Sequence, residues 1–251
     1  MIHVPLNPQR ISQGLRNGYW RVKVISETTS TQSEIFNFFS PIQDGDLLVA
    51  EFQNSGRGRL DRKFVAPPMR ALLFSTFLKP SRNISEWGWL PLIIGLSVAE
   101  SLTELTGKKF STKWPNDVLY EGKKVCGILC ESSHGGVIAG VGINVNFDQS
   151  ELPVKNATAV NLISGKLYER DQVLIEVLNR IKMNLEIWNK NLTNSLPENY
   201  LKFSATLNNS VRIDLGNGNA VTAKAIGISE AGELELDNGT AVSIGDVTHL
   251  R

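Results

Sequence analysis

Residues 137–146 read Val-Ile-Ala-Gly-Val-Gly-Ile-Asn-Val-Asn, with apolar side chains at every odd position. Successive side chains of a strand point to opposite faces, so this pattern predicts a strand with one face in a hydrophobic core. Its even positions include Gly140, Gly142, Asn144 and Asn146. Glycines weaken a strand interior, which leaves two alternatives. Either a flat ligand with hydrogen-bonding edges, such as adenine, lies against the backbone, or a bulge or tight packing takes the space.

Strands and helices are predicted on the N-terminal side of this segment. The predicted strands are residues 21–25, 47–52, 72–78 and 125–131. Thr31 and Glu34 have capping-box spacing and predict a helix start. The apolar spacing over 91–106, followed by Gly107, predicts a long helix.

On the C-terminal side, a second long helix is predicted, followed by a region of short strands and turns. The helix is predicted to begin with Asp171 as its N-cap. Its apolar stripe is Leu174, Leu178, Ile181, Leu185 and Trp188. After Pro197, short apolar runs alternate with Gly-Asn turns, such as the hairpin signal Asn238-Gly239. We therefore expect a main domain over residues 1–205, with an irregular arm at 1–20, and a small β domain over 206–251.

The bulk properties exclude several classes of protein. A formal net charge of +1 provides no global field for DNA or an anionic membrane surface. No apolar run approaches the roughly 20 residues of a spanning helix, and the first residues lack the apolar core of a signal peptide. Cys126 and Cys130 are predicted to be reduced and buried, and three scattered histidines indicate no zinc site. We predict a cytoplasmic globular protein with no DNA or membrane partner.

A loop rich in glycine and arginine is the first candidate for chemistry. Residues 56–62 read Gly-Arg-Gly-Arg-Leu-Asp-Arg, between two predicted strands. Arginine forks match phosphate and carboxylate, and glycine lets the backbone approach a ligand closely. The alternative is a solvated charged loop or a nucleic-acid-binding tail. The position of the loop inside the main domain favours an anion site.

The second candidate is the run Lys-Trp-Pro-Asn-Asp at 113–117. Proline restricts its own φ and the residue before it, so the run presents Lys113, Asn116 and Asp117 on a rigid backbone. Asparagine can pair with an adenine edge, and aspartate can bind Mg²⁺ or accept a proton. An ordinary Asn-Asp turn after a strand is the alternative.

Other polar residues lie at predicted strand ends and helix starts. Lys124 precedes an apolar strand, where an ammonium can neutralise charge that develops during phosphoryl or acyl transfer. Ser30, Thr31 and Gln32 lie at a helix start, and Gln53 can offer its amide to a neutral, urea-like ligand. The chain has no Walker P-loop, Rossmann fingerprint or G-x-S-x-G elbow. Any use of ATP therefore needs a different phosphate cradle.

Taken together, this series of motifs resembles the biotin protein ligase family. The resemblance implies biotin contacts for Ser30, Thr31, Gln32, Gln53, Gly56, Arg57, Gly58, Arg59, Lys124 and Gly127. It implies nucleotide contacts for Arg59, Arg62, Phe64, Lys113, Trp114, Asn116 and Asn144. It implies catalytic roles for Lys124, Arg57, Arg59 and Asp117, with Asp117 also the candidate Mg²⁺ ligand.

Three positions depart from the pattern of the family. Gln32 stands where asparagine is usual, Asp61 where glycine is frequent, and Phe64 where tryptophan is common. Phe64 keeps an aromatic wall, and Asp61 adds a negative charge to the arginine-rich loop.

The resemblance also implies a fold and a reaction. The fold is α+β, with a mixed-sheet catalytic domain of the class II synthetase-like, biotin–lipoate ligase type, followed by a small SH3-like β-barrel. The reaction uses ATP and Mg²⁺ to form biotinyl-5′-AMP and then transfers biotin to a lysine of a biotin carboxyl carrier domain of an acyl-CoA or pyruvate carboxylase. Regulatory members carry an N-terminal helix-turn-helix domain, for which roughly 20 residues before the first strand are too few. We expect a ligase that does not bind DNA, as a monomer or weak homodimer.

Two other functions compete with this hypothesis. A lipoate ligase or octanoyltransferase shares the catalytic fold, but the chain has neither the arginine-glycine signature of the lipoate ligases nor a cysteine placed as an acyl nucleophile. A non-catalytic nucleic-acid-binding protein would use residues 56–62 as a basic patch. The near-zero net charge and the lack of stacking aromatics in this loop disfavour it.

Overall fold

A seven-stranded mixed sheet forms the centre of the main part of the molecule. The structure, a computed structural model, describes residues 4–60, 62–190, 195–215 and 218–250. The strands are β1 (Arg21–Thr28), β2 (Asp46–Gln53), β3 (Ala71–Leu78), β4 (Ser111–Lys113), β5 (Asp117–Tyr120), β6 (Lys123–Ser133) and β7 (Gly136–Asn144). Their order is β1-β2-β3-β7-β6-β5-β4, with β1 and β2 parallel and the other neighbours antiparallel. This confirms the predicted α+β fold.

Strand β7 lies in the middle of the sheet, between β3 and β6. Its odd positions, from Val137 to Ile143, are buried in the main hydrophobic core, as the alternation predicted. On the opposite face, Ile138 packs in a second cluster with Ile35 and Phe77. Strand β7 is therefore held by β3 and β6 at its two edges and by the main core on one face.

Six α-helices surround the sheet in the described part of the chain, which also contains three short 3-10 helices. The α-helices are α1 (Pro8–Gly14), α2 (Thr31–Phe38), α3 (Trp89–Thr106), α4 (Val160–Ser164), α5 (Arg170–Asn189) and α6 (Ser195–Phe203). The long helices α3 and α5 were predicted, and Gly107 ends α3 with a φ of 68°. The predicted stripe of α5 is buried throughout. No helix among the described residues is long and apolar enough to cross a membrane.

The predicted start of α2 at Thr31 is confirmed, although its N-cap lies one position earlier than the capping-box spacing indicates, and the N-cap predicted for α5 is wrong by two positions. Helix α2 has Ser30 at its N-cap, and the Thr31 hydroxyl bonds to other side chains instead. Helix α5 has Glu169 at its N-cap. The Asp171 carboxylate accepts the backbone N–H of Asn7 at 3.1 Å, so it fixes the N-terminal arm and does not cap its own helix.

The arm was predicted to be irregular, and this is wrong for its described residues. The Asn7 side chain accepts N–H groups from Gln9 and Arg10, and Pro8 occupies the first turn, so α1 starts at this point. Ile11 is fully buried, and α1 packs against α5. Helix α1 is too short for its apolar residues to repeat, which is why the pattern alone does not reveal it.

The C-terminal region forms a separate antiparallel sheet of five strands. These are β8 (Ser210–Asp214), β9 (Ala220–Ile228), β10 (Leu234–Leu236), β11 (Ala241–Val242) and β12 (Asp246–His249), in the order β11-β10-β9-β8-β12. The small sheet was predicted, although β12 was not. Two indole N–H groups connect it to the main part of the molecule: Trp89 Nε1 donates to the Ser229 carbonyl and Trp114 Nε1 to the Gly232 carbonyl.

Candidate active site

A pocket opens above β6 and β7, between the start of α2 and the arginine-rich loop at 56–64. Most of the residues predicted for the site line it: Ser30, Thr31, Gln32, Gln53, Arg57, Gly58, Arg59, Phe64, Asn116, Lys124 and Gly127. Six predicted residues do not: Gly56, Arg62, Lys113, Trp114, Asp117 and Asn144. Lys63 and Ser75 also line the pocket and were not predicted.

A polar cluster forms the end of the pocket nearest α2. Gln53 Oε1 accepts the backbone N–H of Thr31 at 2.7 Å and its hydroxyl at 3.0 Å. Thr31 Oγ1 also lies 2.7 Å from Ser75 Oγ. These bonds fix the Gln53 amide, and its Nε2 lies beside Gly56, where a β-carbon would come within 3.0 Å. Gly56 therefore makes room for the amide without lining the pocket itself.

The second amide of the cluster belongs to Gln32. Its Nε2 donates toward Glu131 Oε2 at 3.0 Å and the Ile138 carbonyl at 3.2 Å, and its Oε1 lies 3.3 Å from Ser75 Oγ. A β-carbon on Gly140 would come within 2.5 Å of that oxygen. Gly140 is thus approached closely by a protein side chain.

Gly142 is approached in the same way. A β-carbon there would lie 2.5–2.9 Å from three carbons of the Phe64 ring. In this structure the side chains of Gln32 and Phe64 thus approach the two glycines, both of which also line the pocket. Asn144 is buried and donates from Nδ2 to the Thr158 carbonyl at 3.0 Å, away from the pocket wall.

The arginine-rich loop folds back on itself. Gly58 N–H donates to the Arg62 carbonyl at 2.7 Å, and Phe64 N–H donates to the Gly56 carbonyl at 3.0 Å. A β-carbon on Gly56 would lie 2.4 Å from the Phe64 carbonyl oxygen, so only glycine allows this closure. Asp61 lies outside the described residues.

Each arginine of the loop has a different protein partner. Arg57 forms a two-point ion pair with Glu131, at 2.7 and 3.0 Å. Arg59 donates to Asn116 Oδ1 at 3.0 Å and to the Gly245 carbonyl at 3.4 Å. Arg62 pairs with Asp246 on β12. Burial lowers the pKa of Arg59, and the carboxylates of Asp246 and Asp117 oppose that shift.

Lys124 forms an ion pair with Asp117, with Nζ 2.6 Å from Oδ1. The two residues lie on the adjacent strands β6 and β5, where Asp117 is paired with Gly127. A β-carbon on Gly127 would come within 2.9 Å of Lys124 Nζ. The absence of a side chain at Gly127 therefore leaves the space that the Lys124 ammonium occupies. Asp117 does not line the pocket itself but contacts Lys124, which does.

Trp114 supports the wall of the pocket from behind, and Lys113 precedes it as the last residue of β4. Trp114 is buried, and its backbone N–H donates to Thr206 Oγ1 at 3.1 Å. The turn between β4 and β5 then presents Asn116, whose Nδ2 donates to the Ile128 carbonyl at 2.7 Å. The short strands on either side of this turn were not predicted, since three or four residues carry too little pattern.

Asp117 is the candidate Mg²⁺ ligand, and its surroundings decide whether a metal ion fits there. Within the described ranges, no group of three or more His, Cys, Asp or Glu side chains could hold a metal ion. The Asp117 carboxylate is already engaged by the Lys124 ammonium. Mg²⁺ needs oxygen ligands in octahedral geometry, so the residues around Asp117 do not fit a magnesium site made by the protein alone.

Neither cysteine is suited to nucleophilic chemistry. Both are free, Cys126 buried and Cys130 half-buried. Burial raises the pKa of the Cys126 thiol far above its usual value and that of Cys130 to about 12. Because the thiolate is the nucleophile, neither side chain is reactive near neutral pH.

Comparison with known proteins identifies the family. Residues 22–148 match the family model of the biotin/lipoate A/B protein ligase family. The chain is 32% identical over 247 residues to a biotin–[acetyl-CoA-carboxylase] ligase of Mycobacterium tuberculosis, covering 95% of this chain and 92% of that protein. It is 27% identical over 238 residues to the bifunctional ligase/repressor BirA of Escherichia coli, covering 92% of this chain and 73% of BirA.

A solved structure gives the same result. The fold is similar to that of the biotin protein ligase from Aquifex aeolicus in complex with biotin and ATP, with a TM-score of 0.77 and 37% identity. The match covers 92% of this chain and 98% of that one. The predicted biotin–lipoate ligase type of catalytic fold is thereby confirmed. The chain belongs to the biotin/lipoate A/B protein ligase family and, within it, to the biotin protein ligases.

Proposed function

We propose that this chain activates biotin with ATP to form biotinyl-5′-AMP and transfers biotin to a lysine of a biotin carboxyl carrier domain. The observation that supports this most directly is a single pocket lined by a polar amide cluster, two loop arginines and Lys124. The similar Aquifex aeolicus ligase holds biotin and ATP. A neutral urea-like head, a carboxylate and a phosphate thus each have matching groups in one cavity.

The cluster around α2 binds the ureido head in this proposal. Gln53 and Gln32 provide amide groups, and Thr31 and Ser75 provide hydroxyls. These groups are already oriented by bonds to one another, which reduces the entropy lost on binding. Arg59, Asn116 and Phe64 form the nucleotide side, with an aromatic ring, an amide and a guanidinium.

In the first step, a carboxylate oxygen of biotin attacks the α-phosphorus of ATP. The new O–P bond forms as the bond to the pyrophosphate oxygen breaks, and pyrophosphate leaves. Arg57 and Arg59 offset the negative charge of the phosphates and the carboxylate. Since the residues around Asp117 do not fit a metal site, Mg²⁺ is proposed only as a companion of the ATP phosphates.

In the second step, the acceptor lysine amine attacks the acyl carbon of the adenylate. The bond to the phosphate oxygen breaks, and AMP leaves with the electron pair. The Lys124 ammonium stabilises the negative charge on the oxyanion or on the departing phosphate. Asp117 is the proposed acceptor of the proton lost by the amine; it lies behind Lys124 and does not line the pocket, so this role requires the acceptor lysine to approach the Lys124–Asp117 pair.

The rival functions fit the site less well. An octanoyltransferase that uses a cysteine nucleophile needs a reactive thiol, and both thiols here are held protonated by burial. A nucleic-acid-binding loop would present its arginines on an open surface, whereas Arg57 and Arg59 line the pocket and Arg62 pairs with Asp246 of the small sheet. A lipoate ligase remains the rival for the assay below to exclude.

The proposal also covers the acceptor protein, the cellular location, the domain boundaries and the assembly. The acceptor is proposed to be a carrier domain of an acyl-CoA or pyruvate carboxylase, and the location to be the cytoplasm. We also propose a catalytic domain over residues 1–205 and an SH3-like C-terminal domain over 206–251. A monomer or weak homodimer is the proposed assembly.

The test is adenylate formation from purified protein, α-labelled ATP, Mg²⁺ and one acid at a time. Biotin, lipoate and octanoate are compared, with pyrophosphate release as the second readout. We expect an adenylate with biotin and at most a trace with the other acids. Adenylate formation with lipoate alone would show that the protein is a lipoate ligase. No adenylate with any of the three acids would contradict the proposal.

A further inference from the structure

One carboxylate outside the pocket lining contacts two residues inside it. Glu131 lies on β6 and was not predicted as a site residue. Its Oε2 accepts from Gln32 Nε2 at 3.0 Å and from Arg57 at 3.0 Å, while its Oε1 accepts a second Arg57 N–H at 2.7 Å. The side chain therefore connects the start of α2, the arginine-rich loop and the sheet.

The contact with Arg57 determines how that guanidinium is presented. A guanidinium has five N–H donors in a plane, and the two-point pair with Glu131 uses two of them. Three donors are left for a ligand in the pocket. Such a planar pair fixes the direction of the remaining donors, which a single contact would leave free to rotate.

The contact with Gln32 determines the orientation of an amide. Gln32 Nε2 lies within 3.4 Å of three acceptors, which are Glu131 Oε2 and the carbonyls of Leu129 and Ile138. Reversing the amide would put its oxygen among these three oxygens. Its Oε1 is consequently held toward Ser75 and Gly140, on the lining of the pocket.

We infer that Glu131 is a positioning residue for adenylate formation, which orients Arg57 for the reacting carboxylate and α-phosphate and Gln32 for the head of the acid. The inference rests on the proposed function and deepens it by assigning a residue that acts only through two others. Every second residue of a strand lies on the same face, so Glu131 is on the face of β6 that carries Gly127 and Leu129. Both of these residues line the pocket, and Glu131 is the next residue of that face.

A purely structural role is the competing explanation. The Arg57 and Glu131 side chains are 46% and 37% exposed, and pairs of this kind contribute little to global stability. A stabilising role would then lower the melting temperature slightly and leave catalysis unaffected. A positioning role lowers catalysis and leaves the melting temperature nearly unchanged, and part of its effect on catalysis depends on the presence of Arg57.

The experiment is a double-mutant cycle with Glu131→Ala, Arg57→Ala and the double variant, measured as kcat/KM for biotin in adenylate formation. We expect Glu131→Ala to lower kcat/KM about fivefold, and the double variant to lose less than the product of the two single losses, because the part that acts through Arg57 is already absent while the part through Gln32 remains. Glu104→Ala is the matched control, because it removes an arginine pair with Arg180 across α3 and α5, away from the pocket. We expect it to match the parent.

A loss of less than twofold in Glu131→Ala would overturn the inference, as would a double variant whose loss equals the product of the two single losses. If Glu131→Ala fails to fold, the same cycle with Glu131→Gln applies, since that side chain keeps the volume and loses the charge. Hydrogen exchange of peptides from the arginine-rich loop gives a readout independent of activity. It is expected to be faster in Glu131→Ala than in the parent and in Glu104→Ala, and unchanged exchange would also overturn the inference.

The outcomes separate this inference from the proposed function. A parent protein that forms no biotin adenylate contradicts the proposed function, and the exchange measurement then decides the role of Glu131 alone. A parent that forms the adenylate while Glu131→Ala behaves as the control contradicts the inference and leaves the function intact.

Discussion

At the scale of single residues, the position of the Lys124 ammonium depends on an absent side chain. The β-carbon missing from Gly127 would lie 2.9 Å from Nζ and 3.0 Å from Cε of Lys124. Both contacts involve the flexible end of a lysine, so a new methyl group would displace the ammonium and leave the backbone in place. The ion pair with Asp117 would be lost in the same movement.

We therefore expect Gly127→Ala to lower kcat/KM for adenylate formation about tenfold, with a melting temperature within a few degrees of the parent. Steady-state pyrophosphate release and a thermal melt measure the two effects. Gly95→Ala is the control, because its β-carbon would meet its neighbours at 3.5–3.8 Å, which is ordinary contact. Unchanged catalysis in Gly127→Ala would show that the ammonium does not need this position.

Removing the ammonium itself is the stronger test of its role. Lys124→Ala is expected to lower kcat about 100-fold or more, the loss typical of removing a group that stabilises developing charge. Its neighbour Lys123 is exposed, so Lys123→Ala is the matched control. A Lys124→Ala protein within fivefold of the parent would refute the catalytic role proposed for this residue.

The sequence predicted these residues unevenly. Lys124, Arg57 and Arg59 belong to a recognisable motif series, and all three line the pocket. Ser75 and Glu131 lie within strands where a serine or a glutamate is unremarkable, and no local pattern distinguishes them. Their importance comes from contacts with residues more than 40 positions away in the chain.

At the scale of elements, the arginine-rich loop is held by the C-terminal sheet as well as by the pocket. Arg62 pairs with Asp246 at the start of β12, and Arg59 donates to the neighbouring Gly245 carbonyl at 3.4 Å. These contacts span more than 180 positions in the chain. The loop therefore connects the two sheets across the mouth of the site.

We expect Asp246→Asn to raise the KM for ATP about two- to fivefold and to speed hydrogen exchange in the loop. The reason is that the loop loses a charged partner and orders less readily over the nucleotide. Glu230→Gln serves as the control, since Glu230 is an exposed carboxylate on a turn of the same sheet. Equal KM values in the three proteins would argue that the small sheet does not help to position the loop.

The half-buried position of His249 on β12 leads us to expect a pH dependence of the protein's stability. Burial, followed by the charge of Lys113, lowers the pKa of His249 below its ordinary value of 6.5. A lowered histidine pKa favours the neutral ring in the folded state. The free energy of unfolding is therefore highest above pH 6.5 and falls as the pH drops from 6.5 through the pKa of the folded state. The ring lies 3.3 Å from Thr206 Oγ1, which accepts the Trp114 N–H.

The melting temperature is thus expected to fall between pH 7 and pH 5 more in the parent than in His249→Gln. Melts at several pH values in buffers of equal ionic strength measure the difference. His134→Asn, at an exposed turn, should keep the slope of the parent. If His249→Gln retains the full slope, another group is responsible.

Elements were predictable in proportion to their length. Helices α3 and α5 repeat their apolar residues over several turns, and β7 alternates over nine residues, so their patterns are clear. Helix α1 and strands β4 and β5 are too short for this. The N-cap of α5 was misassigned because Asp171 is used for a contact with the arm 164 positions away.

At the scale of the whole molecule, the order of elements predicted a mixed-sheet α+β fold with a C-terminal β region. The comparisons and the topology confirm both. What the order did not reveal is where the two sheets touch. Trp114 illustrates this: the family resemblance implied a nucleotide contact for it, and in this structure its indole N–H donates to the Gly232 carbonyl beside the small sheet.

The central claim is that one pocket activates biotin and delivers it to a protein lysine, and intact-mass spectrometry of a carrier domain tests this directly. The parent protein is incubated with ATP, Mg²⁺, biotin and a biotin carboxyl carrier domain, beside a variant of that carrier with its acceptor lysine replaced by arginine. The account predicts the addition of one biotin to the first carrier and none to the second. An unmodified carrier in the presence of biotin, or a carrier modified only when lipoate replaces biotin, would contradict it.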